Sequence, residues 1–152
     1  MAQYFFDTSA AVKYYHVEAG TPRVSAIFGE TGRKFRISKI GLLEIQSAFA
    51  LKVRAGVLDR EAAGLQRTRL ILDIASGAIE VYSMTDDHFV EAERLIGQYS
   101  YTDRLRTLDA LQLAVALDLA RQDLVDYFVV ADHALCEVAA SEGLSVINPE
   151  VP

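Results

Sequence analysis

The sequence is poor in the features that mark several functional classes. It has one cysteine, Cys136, in 152 residues, so an internal disulfide is excluded and no Cys/His cluster offers a structural zinc site. Its three histidines, His16, His88 and His133, are scattered along the chain. No apolar run approaches the ~20 residues needed to cross a bilayer, and Met1-Ala2-Gln3 leads into apolar sequence without the basic start of a signal peptide. A soluble chain in a reducing cytoplasm, with no membrane association, is the expectation. There is no internal repeat, no low-complexity tract and no linker long enough to divide the chain. Basic residues are outnumbered, and the net charge of −6 argues against a generic nucleic-acid binder.

What is present is a core. Hydrophobic residues make up 51 % of the chain, and the length fits one domain, residues 1–152, at roughly 100–200 residues per domain. The charge is unevenly spread. From Arg23 to Arg69 ten basic residues (Arg23, Arg33, Lys34, Arg36, Lys39, Lys52, Arg54, Arg60, Arg67, Arg69) face four acids (Glu30, Glu44, Asp59, Glu61). That segment carries +6 and the remainder −12, an asymmetry that can guide a polyanion to one face. Ordinary solvated helix faces explain the same pattern.

Short apolar strands alternate with helical stretches. Tyr4-Phe5-Phe6 stops at Asp7, and a helix follows through Tyr15. Gly20 breaks the chain, Thr21 caps and Pro22 suits the first position of a helix running to about Gly29. Gly32 turns into the strand Lys34–Ser38. Helices are expected over Ile40–Ala55, stopped by Gly56, and from the cap Asp59 to about Ser76, stopped by Gly77. Then come a strand over Ala78–Ser83, a helix from Thr85-Asp86-Asp87 to about Tyr99, a loop over Ser100–Asp103 and an almost wholly apolar helix over Leu105–Ala120. A buried strand over Tyr127–Ala131 ends at Asp132. A last helix spans His133–Ser141, Gly143 closes it, and Ser145–Ile147 is the final strand. Strands separated by helices predict an α/β fold whose parallel sheet is covered on both faces and joined by right-handed crossovers.

Four acids stand in unusual settings. Asp7 and Asp132 each end an apolar strand where a helix begins, which places both on the C-terminal edge of a parallel sheet, where ligands bind in open α/β folds. Glu44, at helical spacing, shares a face with Ile40, Ser47, Ala48 and Leu51. Asp109 shares a stripe with Leu105, Leu113 and Ala116, and with Thr107 as N-cap it lies in the first helical turn. Each has a plain structural explanation in helix capping, a core salt bridge or the helix dipole. Together they require four such explanations at once.

The ordered set resembles the PIN-domain nucleases, and among them the VapC-type toxins of toxin–antitoxin pairs. The resemblance runs through Asp7-Thr8-Ser9-Ala10-Ala11-Val12, Ile37-Ser38 with Leu43-Glu44, Leu108-Asp109-Ala110-Leu111-Gln112-Leu113-Ala114, and Val130-Ala131-Asp132-His133 with Gly143–Pro149. It covers nearly the whole chain. Ala131 replaces a hydroxyl residue common in the family, and Gln112 stands where a histidine is frequent. The resemblance implies a three-layer α/β/α architecture with a short, mostly parallel central sheet. It also implies a metal-dependent endoribonuclease that leaves a 5′-phosphate and a 3′-hydroxyl. Asp7, Glu44 and Asp109 would hold Mg²⁺ or Mn²⁺, helped by Asp132, and hard cations of this kind suit carboxylates and water. Thr8 and Ser9 would orient a carboxylate or contact a phosphate. A VapB-like antitoxin and a homodimer are the implied partners beside the RNA. Candidate apolar contact surface lies at Tyr14, Tyr15, Val24, Ile27, Phe28, Phe49 and Val53, residues that also suit a core.

Other readings fit less well. A non-catalytic PIN-fold interaction module would have no reason to keep all four acids. A phosphoryl-accepting aspartate protein would carry a second acid beside Asp7 and a late lysine. Here Thr8 and Ser9 follow, and no lysine occurs after Lys52. A serine hydrolase lacks its Gly-x-Ser-x-Gly elbow, and Cys136 lies in an apolar helical stretch where packing is the ordinary role.

Overall fold

A computed structural model describes residues 1–30 and 34–152. Among these residues lie five strands and seven helices: β1 Gln3–Phe6, α1 Thr8–Tyr15, α2 Thr21–Phe28, β2 Lys34–Ser38, α3 Lys39–Arg54, α4 Arg60–Ala75, β3 Ile79–Tyr82, α5 Asp86–Tyr99, α6 Thr107–Arg121, β4 Tyr127–Val129, α7 His133–Ser141 and β5 Val146–Ile147. The strands form one sheet in the order β3-β2-β1-β4-β5, and every pairing is parallel. The turn expected at Gly32 lies outside the described residues.

Side chains alternate across a strand, and this sorts the core into two halves. Phe5 and Phe128 face α5, α6 and α7, packing with Leu95, Leu113, Leu135 and Val138. Tyr4, Phe6 and Val129 face α1 to α4, packing with Ala10, Val24, Phe35, Ile45, Phe49 and Leu70. The fold is therefore three-layered, α/β/α. Helix α6 explains its own apolar character, since it is buried from Asp109 to Leu117.

The structure corrects several local expectations. Gly20, at φ +87°, is the N-cap of α2, and Thr21 is its first residue. The Thr21 hydroxyl instead turns back, accepting from the Glu18 amide and donating to the Lys13 carbonyl. Arg106 rather than Thr107 is the N-cap of α6. Strand β4 ends at Val129: the Val130 amide still reaches the Ile147 carbonyl at 3.0 Å, but the Ala131 amide is taken by the Ser9 hydroxyl at 3.0 Å. Of the expected basic face, Arg36 is buried, with Nε 3.2 Å from Glu80 Oε2 and from the Tyr82 hydroxyl. Arg33 and the side chain of Lys34 lie outside the described residues. Tyr15, Val24, Ile27 and Phe49, expected as possible contact surface, are core. No helix among the described residues is long and apolar enough to cross a membrane.

Candidate active site

Asp7 leaves β1 as the sheet ends and is the N-cap of α1. Its amide donates to the Val129 carbonyl at 2.9 Å, so the last rungs of β1 and β4 fix where the carboxylate stands. Oδ2 accepts from the Ser9 amide at 3.0 Å and the Ser9 hydroxyl at 2.6 Å. Ser9 Oγ in turn accepts from the Ala131 amide, and one hydroxyl thus ties the end of β1 to the segment entering Asp132. Capping and site-building are one act here. Asp7 is 3 % exposed, and its Oδ1 finds no hydrogen-bond partner among the described residues.

Glu44 comes from the second turn of α3. The fully buried face of that helix is Gly41, Ile45 and Phe49; of the Ile40, Ser47, Ala48 and Leu51 face the spacing suggested, Ile40 and Ala48 are partly buried against the core, while Ser47 and Leu51 are exposed. The helix is turned so that Glu44 stands at the border of the core, half-buried. Its Oε1 accepts from the Gln112 amide group and, at 3.4 Å, from the Thr8 hydroxyl, while Gln112 Nε2 also donates to Thr8 Oγ1 at 3.1 Å. Asp109, in the first turn of α6, is 7 % exposed. Asp132 is the N-cap of α7, with Oδ1 accepting from the Leu135 amide at 2.9 Å. Arg106 Nε donates to Asp109 Oδ2 at 3.1 Å, and its Nη2 lies 3.8 Å from Asp132 Oδ2.

The acids feel one another. Burial first, then the nearby Asp109 and Glu44, push the Asp7 carboxyl up to about 6, against the opposing pull of Ser9. Burial and Asp109 also raise Glu44, and the hydrogen bonds from Gln112 and Thr8 and the charge of Arg106 oppose them. Like charges in a poorly hydrated setting disfavour joint ionisation. Yet no three His, Cys, Asp or Glu side chains among the described residues are drawn together tightly enough to chelate an ion. The hydrogen bonds show why: Glu44 is turned onto Gln112 and Thr8, and Asp109 onto Arg106.

Thr8, Glu44 and Leu108 line a groove of about 330 Å³, with Arg54 on its wall. A larger hollow of about 440 Å³ between α7, β5 and Arg23 contains none of the four acids. Two residues that sequence reasoning did not assign to the site, Gln112 and Arg106, hold it together. Gln112 had a readable signal: apart from Asp109 it is the polar interruption in Leu108–Leu117. Arg106 had none beyond being a charge near a helix start.

The family model for the PIN domain matches residues 4–140. This chain belongs to the PIN-domain family. Solved structures of PIN-like chains share the fold of this PIN domain at low identity. VapC20 of Mycobacterium tuberculosis, described as a sarcin–ricin loop cleaving toxin, is 17 % identical with a TM-score of 0.68, over 96 % of this chain and 99 % of that one. VapBC2 of Rickettsia felis, bound to a DNA fragment from its promoter, is 15 % identical with a TM-score of 0.64, over 96 % and 98 %. A toxin–antitoxin complex from Klebsiella pneumoniae is 17 % identical with a TM-score of 0.63, over 98 % of each chain. No curated protein sequence matches the chain. These likenesses establish the fold. They leave the chemistry to the site.

Proposed function

We propose that this PIN domain is a metal-dependent endoribonuclease and the toxin of a toxin–antitoxin pair. One observation carries the reading: Asp7, just past β1, is buried with one carboxylate oxygen lacking a hydrogen-bond partner among the described residues, and Glu44 of α3 and Asp109 of α6, far apart in sequence, add to the burial that raises its carboxyl. Such an arrangement is costly to a folded chain unless a cation is meant to relieve it. The donor set fits Mg²⁺ or Mn²⁺, because it is carboxylate throughout and Asp7 Oδ1 is buried without a hydrogen-bond donor among the described residues. Asp7, Glu44 and Asp109 would hold the ion and Asp132 would assist. Bound there, such an ion supplies Lewis acidity, acidifying water and neutralising charge on phosphoryl oxygens.

The chain's own residues have separable tasks. Ser9 occupies one oxygen of Asp7, and the other has no hydrogen-bond partner among the described residues. Thr8 and Gln112 hold Glu44. The groove beside Thr8 and Glu44 offers Arg54 to a phosphodiester backbone. RNA as substrate and an antitoxin as partner are supported by the VapC and toxin–antitoxin neighbours. The antitoxin is also supported by exposed leucines close to the groove: Leu43 is 65 % and Leu51 57 % exposed, apolar area of the kind a protein partner covers. A homodimer fits the same family.

Purified protein should cleave RNA with Mg²⁺ or Mn²⁺, and Asp7→Asn or Asp109→Asn should abolish cleavage. Intact cleavage by either variant rejects the assignment. Co-purification with the product of the adjacent open reading frame tests the antitoxin. The rival reading, an inert interaction module, draws on the Arg106 bridge to Asp109 and Asp132, which neutralises two acids without a metal. Mn²⁺ titration by calorimetry separates the two, because an inert module takes up no ion at these acids.

A further inference from the structure

Arg106 is placed oddly for a structural ion-pair residue. Its side chain is 60 % exposed, whereas its partners Asp109 and Asp132 are 10 % and 27 % exposed. An arginine that stabilises a fold commonly grips one carboxylate with two parallel N–H bonds. Here the guanidinium is split between two carboxylates, with a hydrogen bond to Asp109 Oδ2 and a looser approach to Asp132 Oδ2 at 3.8 Å. These contacts engage two of its five N–H donors, and the solvent-facing guanidinium is screened and free to leave them. The same residue is the N-cap of α6, whose start has no side-chain cap among the described residues. The helix dipole therefore adds positive potential where the guanidinium already stands.

The acids alone would repel an approaching polyanion. A cation that occupies the carboxylates changes what Arg106 faces. Two positive charges within a few ångströms of each other and sharing Asp109 repel, and a solvent-facing side chain moves at small cost. We propose that Arg106 has two successive partners: it neutralises Asp109 and Asp132 while those acids hold no metal, and it grips a non-bridging oxygen of the RNA phosphodiester once a divalent ion has taken them. A planar guanidinium suits both ligands, carboxylate and phosphate. This inference rests on the nuclease reading above and adds to it a residue that would touch substrate.

The test uses the full chain, Arg106→Gln and Arg106→Lys, with three readouts. Metal-free thermal melts should barely move in Arg106→Gln. Calorimetric Mn²⁺ affinity should rise severalfold, because a competing cation is gone. Binding of a labelled single-stranded RNA of random sequence with Mn²⁺ present, measured on an Asp7→Asn background to prevent cleavage, should weaken about tenfold. Its salt dependence should also become shallower by about 0.7 in log–log slope, the signature of one lost phosphate contact on a single strand. Arg106→Lys should keep the slope and recover part of the affinity, because it retains the charge without the fork. A marked drop in melting temperature with unchanged RNA affinity would make Arg106 a structural bridge and overturn the proposal. A fall in Mn²⁺ affinity would also overturn it, by showing that Arg106 holds the acids in place for the ion. If the wild-type chain takes up Mn²⁺ and cleaves RNA, such failures concern Arg106 alone; if it does neither, the nuclease reading falls and this inference with it.

Discussion

The two ends of α1 handle buried charge in opposite ways. At its start, Asp7 is 3 % exposed with one oxygen lacking a hydrogen-bond donor among the described residues and two further acids nearby. At its end, Lys13 is 5 % exposed, and its ammonium sits 3.2 Å from Glu18 and 2.6 Å from Glu150. Glu18 is itself shared with Lys52 at 3.0 Å, and these two lysines hold its carboxyl below the usual range against the opposing effect of burial. Gly20 lets the chain close over this pair: a Cβ there would meet Lys13 Cδ and the Pro149 carbonyl oxygen, each at 3.2 Å. A helix of about two turns thus carries one compensated charge that fastens the C-terminal segment and one buried acid with no cation assigned to it among the described residues. Burial alone does not mark a functional residue. What marks it is burial without an assigned counter-ion.

The comparison can be broken in several places. The largest effect should come from removing one of the acids proposed to hold the ion. Asp7→Asn or Asp109→Asn should lower RNA cleavage and Mn²⁺ affinity by at least about 100-fold, while the metal-free melting temperature holds or rises, since repulsion is relieved. Lys13→Ala should do the reverse. Losing the buried Lys13 stem, which leaves Glu150 without this partner and Glu18 with Lys52, should cost about 2 kcal/mol in urea unfolding with little change in Mn²⁺ affinity among the molecules that remain folded.

Next comes pH, for the metal-free protein. Asp7 is raised from its ordinary 3.8 to about 6, so between those values the folded state holds a proton that the unfolded state has lost. Stability from this group is full below pH ~4 and declines as pH rises through about 6, by about 3 kcal/mol. Glu44, also raised, adds to the same decline. Asp7→Asn should flatten most of it. Glu91, held down to about 2 chiefly by its hydrogen bond from Arg94, acts in the opposite sense and at lower pH. Its contribution is present above its ordinary 4.5 and is lost as the solution is acidified towards 2. Denaturation curves across pH 4–8 that show no decline would mean that Asp7 is compensated after all.

Gln112→Leu keeps the volume but removes the donor that holds Glu44 and Thr8. Mn²⁺ binding should weaken about tenfold, the lower end for a group that orients a ligand, and the fold should persist. A Gly41 side chain would approach Gln112 Oε1 to 3.1 Å, so Gly41→Ala should disturb the same amide from the other side. The smallest change should be Glu150→Gln. Its side chain is 41 % exposed, Lys13 keeps Glu18, and the cost in a thermal melt should stay below about 1 kcal/mol.

Much of this was legible in the chain. Tyr4-Phe5-Phe6 before Asp7 and Phe128-Val129-Val130 before Asp132 announce strands that deliver acids, because an apolar run can be buried on both faces only in the middle of a covered parallel sheet. Glycines at 56, 77 and 143 end helices where expected, at φ +73°, +79° and +90°. Glu44 was singled out for a partly mistaken reason. Its sequence neighbours at helical spacing implied a buried face, whereas the helix buries Gly41 beside Gln112 and Ser38 and Ile45 and Phe49 in the core. Arg36 was expected on a basic face and is instead buried against Tyr82 and Glu80, since in β2 its neighbours Phe35 and Ile37 decide which rows of the strand are covered.

The order of strands and helices and the layer count were determined by the sequence itself, because period, apolar runs and chain-breaking residues act over a few neighbouring positions. Tertiary structure alone decided which charges are paired: that Lys13 meets Glu150, that Gln112 meets Glu44, that Arg106 lies between Asp109 and Asp132. Hydrogen bonds and ion pairs require placement within an ångström across elements distant along the chain, and no local pattern carries information that fine.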